Sequence, residues 1–471
     1  MGTISDKLMR IINTKEDIRQ ALISKGYDVP TSIPFKEYAK MISDSPCRVD
    51  SFPDIEGIVA RYSALGLTNE QMAANPVWVD KTGNGHDLQM KNFAWKEGSG
   101  ISDIYPGALV FDGVDDYGAC DNFPILTKEK GYTVVALRQW ISMGEGISGL
   151  VSNVKNWFND GAFVLEYNSN NATNKFVNRP VSFGNVNIEM DLPNNFTYQT
   201  SKSYKGVPIT TGSFKGTNSL FVGKSNNIIG NCSNVAIWEL VFLDHDATEE
   251  ELTKIKDYFV KTYPWLFPDQ AWTVTGKTNE DEDRATIANI TGNSKDLVLS
   301  NFGFVEGSGY NEEGEYAGYL VTDGVDDKVV SAESIAFTDT WTIITDTVFL
   351  GKVSVASGIL ASNIFTVYNY QGSGTIAVTM GEGGSSLRVI TSSIKAFSSD
   401  GTIYDAEWNE YHVEIGTIRA LKRLLKIGTS SNEISYFCQL AFKFLGIYNN
   451  QILSKDDCIK AYNYLQTLKA K

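Results

Sequence analysis

Asp112-Gly113-Val114-Asp115-Asp116 returns later in the chain as Asp323-Gly324-Val325-Asp326-Asp327, and its flanks return with it. Upstream, Thr82-Gly83-Asn84-Gly85-His86-Asp87-Leu88 matches Thr291-Gly292-Asn293-Ser294-Lys295-Asp296-Leu297. Between them, Asn92-Phe93 matches Asn301-Phe302, and Gly98-Ser99-Gly100 matches Gly307-Ser308-Gly309. Downstream, Phe221-Val222-Gly223 parallels Lys426-Ile427-Gly428, and VAIWELVFL at 235–243 parallels LAFKFLGIY at 440–448. Self-similarity at one offset, about 210 residues, is the mark of an internal repeat. Each copy closes on an apolar stripe at helical spacing: Leu252, Ile255 and Phe259 in the first, Cys458, Ala461 and Leu465 in the second. A capping box opens each stripe, Thr248 to Glu251 and Ser454 to Asp457. A unit of roughly 200 residues suits one domain. The sequence therefore predicts a duplication, with the boundary near 264–271.

Within each copy the periodicity is that of strands. Ala162-Phe163-Val164-Leu165-Glu166-Tyr167 alternates two faces, and Trp341-Thr342-Ile343-Ile344-Thr345 is β-branched. Asn/Gly/Ser clusters separate such runs. Many short strands at this spacing predict an all-β sandwich or barrel. Residues 1–48 read differently. Ile4, Leu8, Ile11, Ile18 and Leu22 recur at helical spacing, Thr14 caps a second helix, Gly26 ends it, and a third helix runs over 34–42. Three short helices cannot bury a core of their own, so this segment is expected to dock on another element or subunit. The predicted division is 1–48, a helical docking and assembly segment, then sandwiches at 50–266 and 268–471.

The 471-residue chain carries a net charge of −15, which disfavours nucleic acid and anionic membrane as partners. The start MGTISDKLMRIINTKED has no sustained apolar core of a signal peptide, and no run reaches the ~20 apolar residues of a membrane helix. Cys47, Cys120, Cys232, Cys438 and Cys458 are widely spaced, with no CxxC pair. They read as buried small apolar residues and point to synthesis in a reducing compartment.

Few residues offer chemistry. Asp112, Asp115 and Asp116 could hold calcium, a cation that takes several oxygens, or could bond backbone amides in a tight turn. Glu189 and Asp191 lie on alternate positions of one strand, but Pro193 and Asn194 stand where a third carboxylate would be needed. His86, His245 and His412 occur in unrelated settings without a nucleophile elbow. No phosphate loop is present. Asn156, Trp157 and Asp160, and Tyr368, Asn369 and Tyr370, have the aromatic-plus-amide composition of a sugar platform. Aromatics in a sandwich also serve as core.

TGNGHDL, ALVFDGVDDYG and IWELVFLDHDATEEELTKIKDYF together resemble the concanavalin A-like, laminin-G-like jelly roll, clearly over 55–265 and more weakly over 270–470. The resemblance implies a mainly β chain with two tandem antiparallel sandwiches and a short helical N-terminal segment. It does not fix function, because the fold serves lectins, adhesion modules, glycosidases and structural parts. The segment Lys25-Gly26-Tyr27-Asp28-Val29, then Pro34-Phe35-Lys36-Glu37-Tyr38-Ala39-Lys40-Met41-Ile42, resembles helical segments near the N-termini of phage tail and fibre proteins. That resemblance implies a virion structural protein made in the host cytoplasm. It would assemble with other virion proteins or with itself, a homotrimer being favoured, and could attach to host-surface glycan. A bacterial carbohydrate-binding surface protein is the alternative. A polysaccharide-degrading enzyme is the second alternative, set aside on the incomplete carboxylate set. No cofactor is expected beyond calcium.

Overall fold

The structure is a computed structural model. It describes residues 15, 52–127, 129–142, 147–153, 164–168, 175–178, 186–189, 196–204, 207–208, 217–224, 232–292, 295–351, 357–362, 365–369, 376–381, 386–389, 393–416, 422–429 and 437–470. The expected N-terminal stripe of Ile4, Leu8, Ile11, Ile18 and Leu22 lies outside them.

Each half is organised around one ten-residue antiparallel strand, Asn234–Leu243 in the first and Leu440–Asn449 in the second. In the first half this strand pairs with Thr133–Trp140 along one edge. Its other edge is shared, because Ala108–Asp112 takes the first part and Ile58–Ser63 the second. The second half repeats the plan, with Trp341–Phe349 on one edge and Tyr319–Val321 and Gln270–Thr273 sharing the other. Each half adds a second eight-stranded sheet, and among the described residues no sheet mixes strands of the two halves.

The two sheets of each half bury their inner faces against each other, as alternating strands require. In the first half Tyr62, Leu109, Phe111 and Phe242 of one sheet meet Leu88, Met90, Leu150 and Val222 of the other. In the second, Trp272, Ile343 and Phe442 meet Leu297, Val329 and Ile427. The chain is thus mainly β, two antiparallel sandwiches, as the sequence predicts.

Both long strands carry a bulge at the same repeat position. The register shifts between Ile237 and Glu239 in the first half and across Lys443 in the second. A bulge puts two successive side chains on one face. Trp238 and Glu239 both point outward there, and so do Lys443 and Phe444.

The outer faces are covered by the closing helices, Glu249–Thr262 and Lys455–Gln466. The first has the full capping box: the Thr248 hydroxyl accepts from the Glu251 amide, and the Glu251 carboxylate accepts from the Thr248 amide. The second has half of it. Ser454 accepts from the Asp457 amide, but the Asp457 carboxylate takes the Ser454 hydroxyl instead, being one methylene too short to span back to the backbone. A six-residue helix at Asn69–Ala74, capped by Thr68 and Gln71, is absent from the sequence reading, which passed over its own capping signal.

Both helices and the turn Pro264–Leu266 join one continuous apolar cluster that runs from Val135, Trp238 and Phe259 through Trp265 to Phe444, Tyr448 and Leu465. Trp265 is fully buried at its centre, with the Lys460 ammonium 4.4 Å from its ring centroid. The Tyr448 hydroxyl donates to the Trp265 carbonyl at 2.9 Å. Gln139 donates to the Thr467 hydroxyl at 3.1 Å, and Asn463 to the Asp103 carbonyl at 3.3 Å, so polar bonds also cross between the halves.

Under the first helix lies a buried ion pair. Arg61 Nε is 3.0 Å from Glu239 Oε2, and its Nη2 donates to Glu239 Oε1 at 3.2 Å and to the Tyr258 hydroxyl at 2.7 Å. The Tyr263 hydroxyl donates to Glu239 at 2.9 Å, and Phe52 stacks 4.2 Å from the guanidinium. Burial pushes the Glu239 carboxyl up, and Arg61 opposes that shift. By strand register, Ala271 and Phe444 hold the corresponding places in the second half.

Candidate functional site

The acidic repeat forms the same turn twice. Gly113 and Gly324 take φ of +78° and +76°, and a Cβ on either would meet the backbone of Asn234 or Gln439 at 3.1 and 3.0 Å. Asp112 Oδ1 accepts the amides of Val114 at 2.7 Å and Asp115 at 3.3 Å, and Asp116 Oδ2 accepts the amide of Asp112 at 3.0 Å. The second copy repeats this, with Asp323 accepting from Val325 at 2.8 Å and Asp327 from Asp323 at 2.8 Å. Asn92 and Asn301 brace the two turns by donating to the carbonyls of Asp115 and Asp326, each at 3.0 Å. The three carboxylates of each turn converge within 4.8 Å. They supply three side chains toward the six or more oxygens that calcium takes, and Asp112 Oδ1 is already committed to amides. The same carboxylates hold the turn through these amide bonds.

Asp116 and Asp327 are fully buried, and burial, with the neighbouring carboxylates adding to it, pushes each carboxyl up to about 6. A folded pKa above the unfolded 3.8 means that the fold favours the protonated form. That contribution is complete below pH 3.8 and is lost as pH rises through about 6. Stability should therefore fall over this window by at most about 3 kcal/mol per carboxyl. Asp405 and Glu251, held below their usual range, run the other way, so the difference between variants isolates the effect. Asp116→Asn/Asp327→Asn imitates the protonated pair. Its urea midpoint should drop less between pH 4 and pH 7 than that of the unaltered chain, and equal slopes would exclude the two aspartates as the source.

Asn156, Trp157, Asp160 and Tyr370 lie outside the described residues. Tyr368 is half-buried on the strand Phe365–Asn369, which is paired on both sides through Gly358 and Ala377. Asn369 ends the same strand. Glu189 closes the edge strand Val186–Glu189, opposite Lys175, and Asp191 lies outside the described residues. Cys120, Cys232, Cys438 and Cys458 are buried and free. His86 presents its backbone carbonyl to the Tyr62 hydroxyl, and Lys295 presents its own to the Trp272 indole, so these two residues serve matching backbone positions.

The structure assembles one constellation that the sequence reading missed. On the outer face of the second sandwich, Asp346 accepts from the Tyr319 hydroxyl at 2.9 Å. The Lys443 ammonium stands 5.3 Å from the Tyr319 ring centroid. The Lys395 ammonium stands 4.9 Å from Tyr462 and 5.2 Å from Trp408, whose rings meet edge to face at 5.7 Å. Burial raises the Asp346 carboxyl, while the tyrosine bonds and both ammonium groups counter the rise. Tyr319, Lys395, Trp408 and Lys443 are each partly open to solvent. Aromatic faces, hydroxyls and cations sharing one face can stack on a ring and bond its polar substituents. The signal was in the repeat: a lysine in LAFKFLGIY where VAIWELVFL has tryptophan.

No family model matches the chain, and no curated protein does. Solved structures do. A Trypanosoma rangeli sialidase in complex with sialic acid matches at 12% identity and TM-score 0.31, over 44% of this chain and 34% of that one. The same sialidase with a difluoro-KDN ligand matches at 13% and 0.32, over 54% and 39%. A structure concerning botulinum neurotoxin type C, whose cell entry depends on two ganglioside molecules, matches at 10% and 0.33, over 82% and 98%. The chain spans roughly a third to two fifths of the sialidases' length. The sequence reading excluded catalysis, and that exclusion is corrected here. Sialidases stand among the matched structures, so an incomplete glucanase motif does not decide the matter.

Proposed function

We propose that the chain is a structural and attachment protein of a phage particle, which engages host-surface saccharide through the outer face of its second sandwich. The observation that carries the reading is the grouping of Tyr319, Lys395, Trp408 and Lys443 on one partly open face. The phage-like segment at 1–48 supports the particle role, as the element that would join this chain to itself, as a trimer, or to other virion proteins. The division into 1–48, 50–266 and 268–471 belongs to the same reading. Two measurements test it. The full chain, fluorescently labelled, should bind a subset of an immobilised glycan array, and Trp408→Ala should lose most of that signal. Removing residues 1–48 should leave the thermal transition in place and abolish oligomers in light scattering. A silent array ends the attachment role. A truncated chain that assembles like the full one ends the assembly role.

A further inference from the structure

The two halves are a controlled comparison within one chain. Register places Ala108 and Tyr319 at one repeat position, since Leu109 pairs with Ile237 as Leu320 pairs with Phe442. It places Leu137 with Asp346, which pair with Glu239 and Phe444. It places Trp238 with Lys443, each at the bulge. In the first half the three positions are apolar and fully buried. In the second they are a tyrosine, an aspartate and a lysine joined in one cluster. Lys395 enters at another register shift, between Ile394 and Ala396. The fold does not require this cluster, because the first half folds to the same plan with alanine, leucine and tryptophan. Desolvating lysines and an aspartate costs free energy that the first half avoids.

Two ammonium groups face one buried carboxylate, and neither ammonium ion-pairs with it or with another described residue. The nearby Glu410 accepts from the Tyr404 hydroxyl. Glu410 keeps its charge, and Lys395 and Lys443 are the cations this face offers to an anion on a chain whose net charge is −15. Lysine ammonium groups bind carboxylate or sulfate as point charges, and partly buried ones are less screened by salt. Resting on the saccharide reading above, we propose that the second sandwich binds an acidic saccharide. Lys395 and Lys443 take its carboxylate or sulfate, and Trp408 and Tyr319 take the sugar ring.

The test uses the full chain in calorimetric titrations with 3′-sialyllactose, a sulfated lactose and plain lactose. The two acidic sugars separate carboxylate from sulfate, and lactose measures the neutral contribution. The acidic sugars should bind at least about tenfold tighter than lactose. Lys443→Gln and Lys395→Gln, which keep the stems, should each remove about tenfold for the acidic sugars and leave lactose unchanged. Circular dichroism melts confirm that both variants are folded. Tyr319→Ala, which restores the residue of the first half, should weaken all three sugars. Acidic and neutral sugars binding alike, or lysine variants binding acidic sugars as the original does, would overturn this inference while leaving the saccharide reading standing. No binding of any sugar, together with a silent glycan array, would overturn both.

Discussion

Arg61→Ala should cost the first sandwich about 3–5 kcal/mol, read as a lowered urea midpoint, because it strands the Glu239 carboxylate in a site that excludes water. The Coulombic gain between the two charges offsets their desolvation only while both are present. The tyrosine hydroxyls of Tyr258 and Tyr263 would remain on Glu239, but they carry no charge. Arg61→Ala/Glu239→Phe installs the pair that the second half already uses, Ala271 and Phe444. It removes both charges at once, and most of the lost stability should return. A double variant no better than the single one would mean that the ion pair is not the source of the loss. Its hydrogen bonds to the helix Glu249–Thr262 would then matter more than its charges.

Trp265→Ala should be comparably severe, at about 3–5 kcal/mol, since it empties a fully buried indole from the cluster that both halves share. Its consequence differs in kind. Among the described residues, the turn Pro264–Leu266, the two closing helices, the apolar cluster they join and bonds such as Gln139 to Thr467 tie the sandwiches together. With the indole gone, scanning calorimetry should resolve two transitions where the unaltered chain gives one. A variant that melts in a single unchanged transition would show that the shared cluster does not couple the halves.

The fold was legible because its determinants are local and were written twice. Glycines at positive φ, self-bonding aspartates and capping residues fix backbone geometry within a few positions, and the repeat confirmed each signal. The short helix at Asn69–Ala74 escaped because a six-residue element has too little periodicity to be seen. The site was less legible. Tyr319, Asp346, Lys395, Trp408, Lys443 and Tyr462 come from six separate elements and meet only through strand order. Sequence reasoning searched for compact motifs, such as Glu189 with Asp191 or Asn156 with Trp157, rather than for residues far apart in the chain.

The paired bulge at Trp238 and Lys443 gives the duplicated sandwich a place where change is tolerated. A regular strand assigns every other side chain to the core, so a new residue there must first be compatible with packing. At the bulge the chain has one residue more than its partner strand needs, and the register on both sides is unchanged whichever residue fills it. One copy could keep tryptophan as ballast for its helix while the other exchanged it for a lysine. That spare residue is an indole in one copy and a cation in the other, at no change of register in the sheet.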